Sequence, residues 1–521
     1  MPTVTANASR RKFIQRSTAL LAVAGMPAVA LAESGKRIRL EWQQFKLSAQ
    51  YPSYYAAIRS MRANPNPSDR NSWQFWVNVH LNYCPHSVPY FIAWHRGYIY
   101  YFEQQLRTVS GDMTLNLPYW DYYTNPNIPS EFTDPATGNP LYQSRLNTNV
   151  YNALDLAPFN SGLYNFQRGT LNPFEPRLEG KPHNPVHDLI GGVMTTMSSP
   201  TDPIFYLHHC NVDRLTHAWA LPDGKGIPFS AYPWAATNSS PYWAGNHVYA
   251  TGLTMPRYLT YDPAYLNYDY ANQSVPTVLP MAATQRRDGF MTVQARVLPQ
   301  ADATVPLEGN FDNAPARNIS ATRRSLGSAT NVALDEGSVV ARVRLGASER
   351  ALLRDAVASA KTSDVAAIAP ATVVIVFDNI YITRQGQQGG YFYNVYLNLP
   401  VGTVGTPARQ PYFLGTLGAV AIAAAVHHGP ATLEYPATEL LAQMDLSTMA
   451  DLSVALVRVS GDNSPKGRVI RLGEVRVDIV TGARVGLSSP TLRAPGACGY
   501  NSTVGNGICT KGAVSSNGLA L

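Results

Sequence analysis

Four cysteines in 521 residues, with no C-x-x-C pair among them, exclude a disulfide framework and weigh against a zinc ribbon or a redox dithiol. Cys498 and Cys509 lie in a Gly/Ser-rich tail and could pair in an oxidising compartment. Lysine and arginine are not gathered on a face interleaved with aromatics, so nucleic acid is not an expected partner. The one uncharged N-terminal stretch, Ser17–Leu31, is too short and too alanine-rich for a membrane span. The chain has no internal repeat, which excludes a solenoid.

Acids are missing from residues 1–32, which hold Arg10, Arg11, Lys12 and Arg16. Without that segment the balance is 37 basic to 34 acidic residues, so the net charge falls from +7 to +3. Ser9-Arg10-Arg11-Lys12-Phe13-Ile14 resembles the twin-arginine motif, and Ala30-Leu31-Ala32 offers a small-x-small cleavage site. The expectation is a signal peptide over 1–32 and a bacterial protein exported already folded, to the periplasm or beyond.

A chain of this length predicts more than one domain. Residues 33–285 carry helical segments at Trp73–Asn82, Trp94–Arg107, Asn184–Ile190 and Pro203–Trp219, separated by loops such as Asn125–Pro140. Residues 286–335 read as a polar linker with two dibasic pairs, Arg286-Arg287 and Arg323-Arg324, as candidate proteolytic sites. Residues 336–490 change texture. β-branched and aromatic runs at Val339–Leu345, Thr372–Ile380, Tyr391–Leu399, Leu452–Val459 and Val469–Val480, with one helix at Ser348–Ser359, predict a β-sandwich-like domain. Residues 491–521 read as a flexible tail.

Histidine is where the chemistry concentrates. Eight of the eleven histidines fall between His80 and His217, six of them in two triplets. The first is His80, His86 and His95; the second is His183, His187 and one of His208 and His209. Three imidazoles each suit copper, zinc, iron or nickel, so ligand type alone does not name the metal. His183-Asn184-Pro185-Val186-His187 is H-x-x-x-H, which puts both rings on one helix face, with Pro185 in the first turn. The zinc-protease form needs Glu after the first His, and here that residue is Asn184. Adjacent helical residues point about 100° apart, so only one of His208 and His209 is expected at the metal. Asp213 could orient an imidazole from behind, and His217, two turns on, is a structural residue.

Cys84-Pro85-His86, Trp94-His95-Arg96, Leu117-Pro118-Tyr119-Trp120-Asp121, Pro182-His183-Asn184 with His187 and Gly191-Gly192, and Asp202-Pro203 through His208-His209 to Asp213-Arg214 jointly resemble the coupled dinuclear copper family of tyrosinases, polyphenol oxidases and molluscan hemocyanins. Tyr268-Asp269-Tyr270 is similar to the Tyr-x-Tyr motif closing that family's catalytic domain. The resemblance implies a mainly α catalytic domain, a four-helix bundle with long loops around two coppers. It assigns one copper to His80, His86 and His95 and the other to His183, His187 and His209. It implies a thioether between Cys84 and His86. It also implies that Glu179 and Asn184 hold a water that deprotonates an incoming phenol, general-base logic. Asp188 would add negative charge near the entrance and favour amine-bearing substrates.

The expected function is ortho-hydroxylation of monophenols and oxidation of o-diphenols to o-quinones with O2, leading to melanin-type pigment. Catechol or o-aminophenol oxidation alone, and hemocyanin-like O2 binding without turnover, are the alternatives. A dinuclear zinc hydrolase is disfavoured because such sites usually include bridging carboxylates. Phenols and O2 are the expected partners, with a copper chaperone as a further candidate. The C-terminal domain, loosely similar to that of the plant enzymes over Thr372–Leu399, is expected to be a lid that buries an aromatic side chain over the coppers.

Overall fold

The computed structural model describes residues 35–280 except 88, 169–171 and 221–241, and residues 323–481 except 363–370, 401–402, 404–408, 429–430 and 448, with short strand pieces at 296–297, 502–505 and 508–511. The signal segment 1–32, most of the linker, and most of the tail, including its disulfide candidate Cys498, lie outside the described residues.

The first half is helical. Helices α1 (Tyr51–Ala63), α2 (Trp73–Tyr83), α3 (Phe91–Ser110), α4 (Asn184–Ile190) and α5 (Ile204–Ala220) enclose a core of large aromatics, among them Trp42, Trp76, Tyr98, Trp120 and Tyr206. Local chemistry sets the helix ends. Ser72 accepts from the Gln74 N–H (3.2 Å) at the start of α2, and Gly111, in the left-handed region at φ 71°, ends α3. Asp202 accepts from Ile204 N–H (3.0 Å) at the head of α5 and pairs with Arg145 at 2.5 Å.

Asp213 on α5 faces away from the imidazoles. It takes Arg96 Nε at 2.5 Å and the hydroxyls of Tyr268 and Tyr270 at 2.6 Å each. The expected role of orienting an imidazole therefore falls to other groups. Asp213 instead fastens the Tyr-x-Tyr segment to α3 and α5. Burial pushes its carboxyl up, but Arg96 and Arg39 pull it below the usual range. His217 pairs with Asp269 at 3.1 Å, a structural contact.

The second half is a β-sandwich. One sheet has the order β5-β4-β7-β2, built from β2 (Val339–Arg344), β4 (Tyr391–Leu397), β5 (Phe413–Gly418) and β7 (Asp451–Ser460), with Arg296–Val297 parallel to β2 at its edge. The other has the order β6-β3-β8-β1, built from β1 (Arg323–Leu334), β3 (Thr372–Ile382), β6 (Leu433–Pro436) and β8 (Ile470–Val480), all antiparallel. Val339, Tyr393 and Leu456 of one face Leu334, Ile375 and Val475 of the other across a shared core. This half's two longest helices among the described residues are α6 (Ala347–Thr362) and α7 (Ala419–His428).

Strand β1 occupies the end of the expected linker, so the second sheet already begins at Arg323. It is an edge strand whose buried side is carried by Leu326, Val332 and Leu334 among small polar residues, which hides its alternation. Arg323-Arg324 is thus not a free dibasic pair. Both residues are paired to β8, and Arg323 is bridged to Asp478 and Glu434.

The sandwich grips the short helix α4. Gly390 N–H donates to the Asp188 carbonyl (2.6 Å), Gly192 N–H to the Gln388 carbonyl (2.8 Å), and the Thr195 hydroxyl to the Gln387 carbonyl (2.7 Å). Glycine lines this contact for a steric reason. A Cβ on Gly418 would stand 1.9 Å from Asp188 Oδ2, and one on Gly389 2.6 Å from the Asp188 carbonyl oxygen. Phe392 and Ala424 of the sandwich half bury themselves in the helical half's core.

Candidate metal centre

The two triplets meet in the interior of the helical half. His80 comes from α2, His95 from α3, and His86 from the loop between them. His183 stands at the head of α4, with His187 one turn on, and His209 comes from α5. All six are at most 5% exposed. His80, Cys84, His86 and His95 form one group, and His183, His187, His208 and His209 a second, each with its ligand atoms within 4.8 Å of one another. The groups adjoin. The His95 ring stacks on His209 at 4.3 Å and 18°, and His86 lies 6.1 Å from His183.

Each ring is turned by its far nitrogen. His80 Nδ1 bonds the Met197 carbonyl (2.7 Å), His95 Nδ1 that of Phe91 (2.8 Å), and His187 Nδ1 that of Met194 (2.8 Å). His183 Nδ1 donates to Asn184 Oδ1 (2.8 Å). A carbonyl accepts only, so these rings carry their proton on Nδ1 and present the lone pair of Nε2, the arrangement of metal-bound imidazole. Burial pushes His95 down to about 3 and His187 to about 4, and holds His80, His183 and His209 well below the ordinary imidazole range. These five rings are neutral, as ligation requires.

The donor set fits a metal. His209 Nε2 lies 3.4 Å from both His183 Nε2 and His187 Nε2. Nitrogens bound to one tetrahedral ion at about 2.0–2.1 Å stand about 3.3–3.4 Å apart. His80 Nε2 is buried with no hydrogen-bond partner. Neither group contains a carboxylate, which removes the bridging ligand a dinuclear zinc hydrolase usually has. His208 packs face to face on His183 (5.2 Å, 21°) and joins the second group as a fourth imidazole. Phe205 rests on His209 at 4.1 Å and on His80 at 5.0 Å, holding rings from both groups.

The Cys84 thiol lies 3.2 Å from Nδ1 and 3.7 Å from Nε2 of His86, and 3.3 Å from His95 Nε2. It is thus in contact with both ring nitrogens of His86. Burial pushes this thiol well above its ordinary range.

Glu179 is buried, and both its oxygens are engaged. Oε1 accepts from the Ser87 N–H (2.7 Å), next to His86, and Oε2 is paired with Arg168. Burial raises its pKa while Arg168 opposes the rise. Asn184 spends its carbonyl oxygen on His183. Asp188 is not at an entrance. It is wholly buried, and Oδ1 accepts the Val420 N–H (2.9 Å) at the head of α7. Burial pushes it up to about 8, against the backbone donors of Val420 and Ala419. The sandwich covers the residue that sequence position had marked as exposed charge.

Sequence reasoning missed Arg168, Phe205 and the carbonyls of Phe91, Met194 and Met197. A backbone acceptor leaves no trace in residue type, and Arg168 stands eleven residues before Glu179, with no single helix or strand spanning both whose period would link them.

Residues 54–162 and 132–221 match the family profile described as the common central domain of tyrosinase. The chain is 31% identical over 217 residues to tyrosinase HcTyr1 of Hahella sp. (strain CCB-MM4), covering 34% of this chain and 46% of that protein. It is 28% identical over 240 residues to chloroplastic polyphenol oxidase A1 of Vicia faba, covering 35% of this chain and 39% of that one. The chain thus spans less than half the length of these relatives. Among solved structures, a latent aurone synthase (polyphenol oxidase) aligns over 88% of this chain and 92% of its own, with a TM-score of 0.48 and 18% identity.

Proposed function

Residues 54–221 are a tyrosinase-family central domain with that family's dinuclear copper site, and from this premise we propose that the chain is a phenol oxidase that oxidises o-diphenols to o-quinones with O2 and hydroxylates monophenols beside the phenol oxygen. The observation that carries the reading is the pair of facing imidazole triplets, buried and free of carboxylate. His80, His86 and His95 would hold one copper, and His183, His187 and His209 the other. Bound there, the pair supplies two-electron chemistry toward O2. In balance, two o-diphenols each lose two electrons and two protons while one O2 becomes two waters; a monophenol takes one oxygen atom and then loses two electrons and two protons to become the o-quinone, and these reduce the other oxygen atom to water.

The chain's own residues do the rest. Six neutral ligands leave the metal charge uncancelled, which draws in a phenolate. Glu179 would take the phenol's proton through a water, and Asn184, whose carbonyl oxygen is held by His183, would orient that water through its amide N–H. The aromatic floor of Phe91 and Phe205 keeps bulk water from the rings. Cys84, whose Sγ lies 3.2 Å from His86 Nδ1, would form a thioether with His86, the thiol and ring hydrogens and two electrons passing to O2, and this bond would fix the one ligand borne by a loop. The sandwich half is a lid whose Phe392 reaches into the helical core, so the full chain is latent. Export by the twin-arginine route, resting on Ser9 to Ile14, belongs to the same proposal. No helix among the described residues is long and apolar enough to cross a membrane.

The test is metal analysis with oxygen uptake on tyrosine, DOPA and an o-aminophenol, before and after limited proteolysis in the linker. About two coppers per chain, quinone colour, and a rise in rate after cleavage are expected. Bound zinc, or reversible O2 binding without quinone, would sink the enzyme reading. Unchanged activity after cleavage removes the lid. An intact mass lacking no hydrogens removes the thioether.

A further inference from the structure

Glu179 has a companion anchored at two points. The Arg168 backbone N–H donates to Glu175 Oε2 (3.0 Å), and its guanidinium pairs with Glu179 Oε2. Glu175 is itself wholly buried and holds the Tyr242 hydroxyl at 2.8 Å. Two carboxylates, four residues apart on one segment, therefore seat one arginine: the first by its backbone, the second by its charge. The Arg168 side chain is 20% exposed and that of Glu179 3%, so the guanidinium stands between solvent and the carboxylate. The other Glu179 oxygen is taken by the loop that bears His86.

We propose that Arg168 is a specificity-setting, positioning residue that holds this site toward phenols already bearing an ortho hydroxyl or amino group, and against monophenols, by occupying the Glu179 carboxylate. This rests on the phenol-oxidase reading above. A monophenol must surrender its one proton to an outside acceptor before its oxygen can bind as phenolate. An o-diphenol or o-aminophenol has a neighbouring donor that hydrogen-bonds the oxygen losing its proton, and so depends less on that acceptor. A carboxylate paired with arginine and bonded to a backbone N–H is a poor acceptor for water or phenol, because its charge is already satisfied. Arg168 thereby weakens the step that monophenols need most. It acts through Glu179 and touches no reacting atom.

The experiment compares kcat/KM for a monophenol and its matching o-diphenol in the copper-loaded full chain. Arg168→Gln is expected to raise the monophenol-to-diphenol ratio roughly tenfold, through kcat more than KM, because a released general base contributes at least that much. Arg168→Lys, which keeps the charge, is expected to return the ratio toward wild type. Adding Glu179→Gln to Arg168→Gln is expected to abolish the rise. Should Arg168→Gln fail to load copper, Arg168→Met, which keeps the aliphatic stem, decides in the same way. A ratio unmoved in copper-replete Arg168→Gln or Arg168→Met, or a rise that survives Glu179→Gln, overturns the inference. A wild-type chain that oxidises neither phenol overturns the reading beneath it instead.

Discussion

The two triplets do the same work with opposite supports. His183, His187 and His209 sit on α4 and α5, and their scaffold is braced from outside by the sandwich half through Asp188, Gly390 and Gly418. His80 and His95 also sit on helices, but His86 hangs on a loop in which Ser87 and Tyr90 adopt left-handed φ values of 57° and 79°. Its supports are internal: the Cys84 thiol against the His86 ring, Glu179 on the Ser87 N–H, and Glu175 near the start of α3. One ligand set is steadied by domain docking, the other by side chains reaching in from the same half. A ligand on a helix inherits its position; a ligand on a loop must be given one.

The sharpest way to break this comparison is inside the second triplet. His209→Ala should lose one copper and essentially all oxidation, a fall of at least about a thousandfold, since general electrostatic and positioning effects of that size depend on the metal pair. His208→Ala should keep both coppers and most of the rate. Metal content read beside activity decides it; the reverse pattern would assign the ligand to His208.

A smaller effect tests the internal brace. Burial pushes Glu175 up to about 7, against the Arg168 N–H and the Tyr242 hydroxyl. Its folded pKa is above the unfolded value near 4.5, so the folded state holds the proton more tightly. The associated stability is whole below pH about 4.5 and is lost as pH rises through about 7, amounting to about 3 kcal/mol at most. Glu175→Gln should flatten the fall in unfolding free energy across that window. An unchanged slope would mean that Glu175 carries no such burden.

The external brace is tested at Gly418, where a methyl group would meet Asp188 Oδ2. Gly418→Ala should weaken docking of the sandwich by about 1–3 kcal/mol, seen as faster cleavage in the linker and a lower melting temperature. The difference from the loop-borne triplet is that copper bound by His80, His86 and His95 should survive the change. Loss of both coppers together would erase the distinction between the two supports.

Much of this was legible in advance, and the reason differs by region. H-x-x-x-H showed α4 to its last residue because a metal helix must repeat its ligand every turn. Trp73–Asn82 and Pro203–Trp219 were found within a residue or so of α2 and α5. Strands β3, β4, β7 and β8 were visible because β-branched runs bounded by turn residues are local signals. Helix α1 went unseen among short polar and aromatic residues. Helix α7 was hidden because it is apolar all round, with no polar face to reveal its period. Strands β5 and β6 are short, and β5 begins and ends around glycines that blur its alternation. At the site, residue types pointed to the six imidazoles, but position in the sequence misplaced Asp188. Whether a charge faces solvent depends on what packs over it, and here that is a helix more than two hundred residues away.

Helix α4 has seven residues, under two full turns. Its inner side presents His187 to the metal, and the next residue, Asp188, is held by α7. So short a rod cannot bend to absorb a disturbance between its two loads; it can only tilt. A tilt felt at Asp188 is a tilt delivered to the imidazole beside it, which makes α4 a lever with the metal on one arm and the sandwich on the other.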